Sequence, residues 1–120
     1  MPEYWVYVIE LDPTGLSDVG TGAVHVGETS KTPEERFATH MAGGPKAARV
    51  VARRGIRLRP DLHPSEGPFV TRAEALRYER KTGNRLRHRG YRVWGAQGKR
   101  FMRGLSTTGD GLDRGARGDA

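Results

Sequence analysis

Glu79 stands where an apolar residue belongs. The segment 71–89 has helical periodicity, with Ala75, Leu76, Gly83 and Leu86 as its apolar stripe and Thr82 at the edge. Position 79 falls inside that stripe at i+3/i+4 spacing. A lone buried carboxylate is costly unless a positive charge compensates it, and an arginine or a divalent cation would do so. The rest of the chain offers Tyr7, His25, Arg36 and His40. A carboxylate beside tyrosine, histidine and arginine suits phosphodiester chemistry, which places an oxygen nucleophile in line and neutralises charge on phosphate. The chain has no cysteine, which excludes disulfides, zinc–thiolate sites and a cysteine nucleophile.

Each of these residues also has an ordinary reading. Arg36 and His40, four apart on a helix, share one face, and such a pair is commonly solvated. Phe37 and Met41 make the adjacent apolar edge that seats this helix on a sheet. Tyr7 shares a strand face with Trp5 and Ile9 and fits core packing. His25 shares its face with Ala23 and Gly27, which leaves open space beside the imidazole. An unperturbed imidazole titrates near pH ~6.5 and is a base at neutral pH. Gly27 permits close approach of a ligand to the backbone, and the Thr29 and Ser30 hydroxyls suit phosphate contacts.

The elements that must position these residues are readable in outline. Tyr4 to Leu11 is a continuous apolar run rich in aromatic and β-branched residues, as in a strand covered on both faces. A turn-rich loop leads to a second short strand, Ala23 to Gly27, antiparallel to the first. Thr32 and Glu35 form a capping box with Pro33 at the first helical position, and that helix stops at Gly43-Gly44. Pro45 opens another helix, ended by Gly55, and Ile56 to Arg59 is a short extended segment. Residues 61–68 read as a loop and Phe69-Val70 as a third short strand. Thr71 and Glu74 make a second capping box, which opens the helix of Glu79, and Tyr91 to Trp94 is a last short strand. The organisation expected is one domain over 1–102 and a disordered glycine-rich tail over 103–120.

Charge narrows the partner. The net charge is +7, and residues 31–102 carry 18 Lys and Arg against six acids, whereas residues 1–30 carry five acids and no Lys or Arg. A basic block of this kind is the footprint of a polyanion, with DNA expected ahead of RNA. Arg49, Arg53, Arg54, Arg57 and Arg59 would hold neighbouring phosphates without reading sequence. No apolar run approaches the ~20 residues of a membrane span, and no signal-peptide pattern opens the chain, so a cytoplasmic protein without a membrane partner is expected.

The order of these blocks resembles the GIY-YIG nuclease family. The Gly-Ile-Tyr signature falls on Trp5-Val6-Tyr7 and the Tyr-Ile-Gly signature on His25-Val26-Gly27. The segment GETSKTPEERFATHMAG from Gly27 is similar to the family's glycine, threonine and Arg/His helix, and TRAEALRYERKT from Thr71 to its glutamate helix. The resemblance spans residues 4–89. It implies an α+β fold, a small three-stranded antiparallel sheet flanked by helices, and metal-dependent cleavage of nucleic-acid phosphodiesters. It gives Glu79 the role of ligand to one Mg²⁺ or Mn²⁺ and Arg36 that of phosphate stabiliser. Tyr7 would position water or phosphate, His40 would assist, and His25 would stand at the position of a candidate general base. Trp5 and His25 depart from the two signatures, and the family's asparagine after the glutamate helix has only Asn84 or Gln97 as counterparts. The expectation is a divalent-metal-dependent endonuclease. The alternatives are a catalytically inactive nucleic-acid-binding domain of the same fold, and a structural domain in which Glu79 pairs with an arginine such as Arg36.

Overall fold

The computed structural model describes residues 3–96; the expected tail and Gln97 lie outside the described residues. The chain forms an α+β domain. Its sheet has the order β3-β1-β2-β4, with β1 over Trp5–Leu11, β2 over Gly22–Thr29, β3 over Gly55–Leu58 and β4 over Tyr91–Gly95. Helices α1 (Pro33–Ala42), α2 (Arg49–Arg54) and α3 (Arg72–His88) flank it. No helix among the described residues is long and apolar enough to cross a membrane.

The central strand β1 runs antiparallel to both of its neighbours, β2 and β3. The expected three-stranded sheet is extended by a fourth strand, because β4 pairs with β2 in parallel. The cause is α3, which packs on the sheet between them and returns the chain in the original direction. The expected strand at Phe69-Val70 reduces to one bridge, in which the Tyr4 and Phe69 amides each donate to the other's carbonyl at 2.9 and 2.8 Å.

Both sheet faces are covered, which explains the unbroken apolar run of β1. Val6, Val8, Val24 and Val26 pack with Ala75 and Leu86 on the α3 side. Tyr7, Ile9, Leu11 and Ala23 pack with Val51 on the α1–α2 side. The α1 capping box is complete: the Glu35 amide donates to Thr32 Oγ1 at 3.1 Å, and the Thr32 amide donates to Glu35 Oε1 at 3.0 Å. At α3 the Glu74 amide donates to Thr71 Oγ1 at 3.1 Å, and only that half of the box forms among the described residues. The buried face of α3 is Ala75, Glu79, Thr82, Gly83 and Leu86, so the carboxylate lies within the apolar stripe. Helix α2 starts at Arg49 rather than at Pro45, since residues 45–48 form a turn that docks on α1.

Candidate active site

Antiparallel register sets Tyr7 opposite Gly27. The phenol lies directly over the glycine, and a Cβ at position 27 would come within 2.6 Å of Tyr7 Cζ. Gly27 therefore makes room for Tyr7. Gly27 also lines the cleft described below, where its backbone remains a candidate for close approach of a ligand. Two residues back on the same face, His25 is paired laterally with Ile9 of β1 and Trp94 of β4.

Helix α1 brings His40 onto this face. His40 is 1 % exposed, and its Nε2 lies 2.9 Å from the Tyr7 hydroxyl. The Ala48 amide donates to His40 Nδ1 at 2.8 Å, so Nδ1 is an acceptor and the neutral ring carries its proton on Nε2. Nε2–H then donates to the Tyr7 oxygen, and the phenolic hydrogen remains for another acceptor. The rings of Tyr7, His25 and His40 form a triangle with centroid separations of 5.9, 6.0 and 5.6 Å. Arg36, one turn before His40, donates through its terminal nitrogen to the Lys46 carbonyl at 3.0 Å. That bond ties the arginine to the same turn that fixes His40.

Strand β4 accompanies β2 only as far as the pair Val26 and Gly95. Past that point, residues 27–29 have no strand beside them on that edge among the described residues. A cleft of about 410 Å³ opens there, and side chains from both sheet faces reach it. Tyr7, His25, Arg36, His40 and Glu79 all line it, with Glu28 and Lys46 beside them. Glu79 is 5 % exposed. Glu28 is held by an ion pair, Arg72 Nε to Glu28 Oε2 at 3.6 Å.

Burial governs the protonation states. It pushes Tyr7 up to about 12, against the charge and hydrogen bond of Arg36 and with the charges of Glu79 and Glu28. Burial pushes His25 down to about 3, with further lowering from His40 and Arg36. Burial and then Arg36 push His40 down to about 4. The expectation that His25 titrates near neutral pH is corrected accordingly: its imidazole is neutral throughout the physiological range.

The remaining candidates divide. Arg49, Arg53 and Arg54 line a cavity that adjoins the cleft. Thr29 is buried, and its hydroxyl accepts from the Lys31 amide at 3.0 Å, a local turn bond. Ser30 is exposed at the mouth of that turn. Arg57 is paired within the domain. It lies across from Glu10 on the α3 side of the sheet, opposite to Tyr7, and its Nε donates to Glu10 Oε1 at 2.7 Å. Arg59 is likewise engaged, donating to both Asp61 oxygens at 3.0 and 2.8 Å. The residue that sequence reasoning passed over is Glu28. Alternation with Val24 and Val26 places it on the α3 side, facing the helix of Glu79, and that alternation is legible in the strand.

Among the described residues no group of three or more His, Asp or Glu side chains is arranged to hold a metal ion. The donor set instead fits a hard cation taken by one carboxylate and completed by water and phosphate oxygens, which is how Mg²⁺ is commonly held. Comparison with known proteins gives no match of the chain to a family model, a curated protein or a solved structure.

Proposed function

We propose that this domain is a nuclease of GIY-YIG type that hydrolyses nucleic-acid phosphodiester bonds with one divalent cation. The observation that carries the reading is the convergence of Tyr7, Arg36, His40 and Glu79, from β1, α1 and α3, on one cleft at the open edge of β2. Glu79 would hold Mg²⁺ or Mn²⁺, and the bound ion supplies Lewis-acid stabilisation of the phosphate and leaving oxygen. Arg36 presents an always-charged fork to the non-bridging oxygens, and its bond to the Lys46 carbonyl limits its rotamers. The Tyr7 oxygen accepts from His40, so its own O–H is free to donate to a phosphate oxygen or a water in the cleft. His25 offers a neutral ring that orients the attacking water by accepting a hydrogen bond. With a pKa of about 3 it does not retain that water's proton in the free protein.

The same low basicity favours one second reading, a catalytically inactive nucleic-acid-binding domain of this fold, at home in the cytoplasm. Both readings predict binding that weakens as salt rises. The discriminating experiment is incubation of the full chain with supercoiled, branched and single-stranded DNA and with RNA, in Mg²⁺, Mn²⁺ or EDTA. Metal-dependent cutting is expected on at least one substrate, with DNA ahead of RNA. Binding without cutting in any metal establishes the second reading.

A further inference from the structure

A second cavity adjoins the catalytic cleft. It measures about 520 Å³ and lies between α2 and the end of β4. His25, Ala48 and Gly95 line both spaces. The remaining walls are Trp94, Val50 and the three α2 arginines, and no acidic residue is among them. Its volume falls in the ~300–1,000 Å³ range of sites that enclose small ligands.

Three features point to one ligand chemistry. The first is Trp94, half-buried, with the Arg92 guanidinium 4.5 Å from its ring centroid. Arg92 is itself anchored by donating to the Ser17 carbonyl at 2.7 Å, which fixes the indole from that side. Arg92 itself is not among the residues that line the cavity, whereas Trp94 is. A rigid aromatic wall stacks any nucleobase. The second is the pair Arg49 and Arg53, both exposed and without an ion pair among the described residues. Arg54 differs, donating to the Asp12 and Thr14 carbonyls at 3.0 and 2.6 Å. Two uncommitted guanidinium groups beside an aromatic wall suit a phosphate. The third is His25, 9 % exposed, whose Nδ1 has no hydrogen-bond partner among the described residues. A Cβ at Gly95 would stand 3.3 Å from that nitrogen, so the glycine keeps the neighbouring space open. A buried ring nitrogen at the edge of a cavity gains by meeting a polar ligand atom there.

A base stacked inside a duplex cannot enter such a space, because both its faces are covered by its neighbours. We infer that the cavity between α2 and β4 holds one unpaired nucleotide adjacent to the phosphate in the cleft. Its base lies against Trp94 and meets His25, and its phosphate lies on Arg49 and Arg53. This rests on the nuclease reading for the position of the reacting phosphate, and it names the substrate class as a single strand or a locally unpaired one.

The test is tryptophan fluorescence, excited selectively over tyrosine, of the full chain carrying Trp5→Phe, so that Trp94 is the only tryptophan, in EDTA. The titrants are a short oligothymidylate and a duplex of equal length, with binding followed separately through a label on the nucleic acid. Saturable quenching of Trp94 by the single strand is expected, with binding about tenfold weaker in Trp94→Ala and in Arg49→Gln/Arg53→Gln. Quenching without cleavage in any metal would sustain the nucleotide site and remove the nuclease reading. Cleavage of nucleic acid with no Trp94 response, or with unchanged affinity in the arginine pair variant, would overturn the nucleotide site and leave the nuclease reading standing. A labelled oligothymidylate that does not bind the protein at all would likewise overturn it.

Discussion

His40 Nε2 and the Tyr7 hydroxyl are 2.9 Å apart, and the direction of the bond is set by a third residue. Because the Ala48 amide donates to His40 Nδ1, the imidazole can only donate at Nε2. Tyr7 is thus an acceptor from the protein and a donor to the cleft. The turn at 45–48 that ends the approach to α2 is in this way part of the geometry of the cleft.

Tyr7→Phe removes the acceptor and leaves a buried Nε2–H unsatisfied. A destabilisation of about 1–3 kcal/mol is expected by urea unfolding. The cleavage rate should fall by roughly 10²-fold or more at saturating substrate. A stable variant that cuts at the normal rate would reduce Tyr7 to a packing residue.

Gly27→Ala tests the seat of Tyr7 from the opposite strand. The new methyl overlaps the phenol, whose Cζ and Cε2 would be 2.6 and 3.0 Å away. Overpacking of this kind costs about 1–3 kcal/mol. The variant should also lose cleavage while retaining affinity for nucleic acid, measured by anisotropy. Full activity would show that Tyr7 has freedom to move aside.

The two cleft histidines make a pH prediction with a definite sign. Burial lowers both in the folded state, to about 3 for His25 and about 4 for His40, whereas the unfolded chain protonates them near pH ~6.5. Above that value they do not affect stability. As pH falls from about 6.5 towards 4, the unfolded state takes up protons that the folded state refuses, and stability is lost at up to about 1.4 kcal/mol per pH unit per histidine. His63, also lowered by burial, acts in the same direction. Denaturation curves for His25→Phe should show a shallower acid dependence than wild type. The wild-type rate profile should show no His25 inflection between pH 6 and 8 (roughly the window of an ordinary imidazole). An inflection there that disappears in the variant would show that His25 titrates as a free imidazole.

Arg53→Gln separates phosphate holding from catalysis. Arg53 has no ion pair among the described residues, so its loss should weaken binding on every sequence alike and reduce the salt slope of log affinity by about 1. Arg57→Gln should leave the slope unchanged, because Glu10 already neutralises that side chain on the far face of the sheet.

What the sequence made legible was local. The period of β1, the capping box at Thr32 and the stripe of α3 depend on neighbours in the chain, and all three stand in the structure. The inward position of Glu79 followed from the same periodicity. What was not legible depends on distant pairings. Nothing within residues 91–95 says that β4 will lie parallel to β2, or that it will stop at Val26 and leave the edge on which the cleft opens. The ionic engagement of Arg57 needs the β1–β3 register, and the seat of Tyr7 on Gly27 needs the β1–β2 register. The depressed pKa of His25 comes first from burial and then from His40 and Arg36, which lie far off in the chain, and no local pattern carries it.

Glu79 is the residue on which the proposed catalysis depends. The most direct measurement is Glu79→Gln beside wild type on the best-cut substrate in Mg²⁺, with cleavage and binding read in the same samples. A loss of cleavage of roughly 10²–10³-fold or more is expected, with affinity for the nucleic acid nearly unchanged. A Glu79→Gln protein that cuts at the wild-type rate would contradict it.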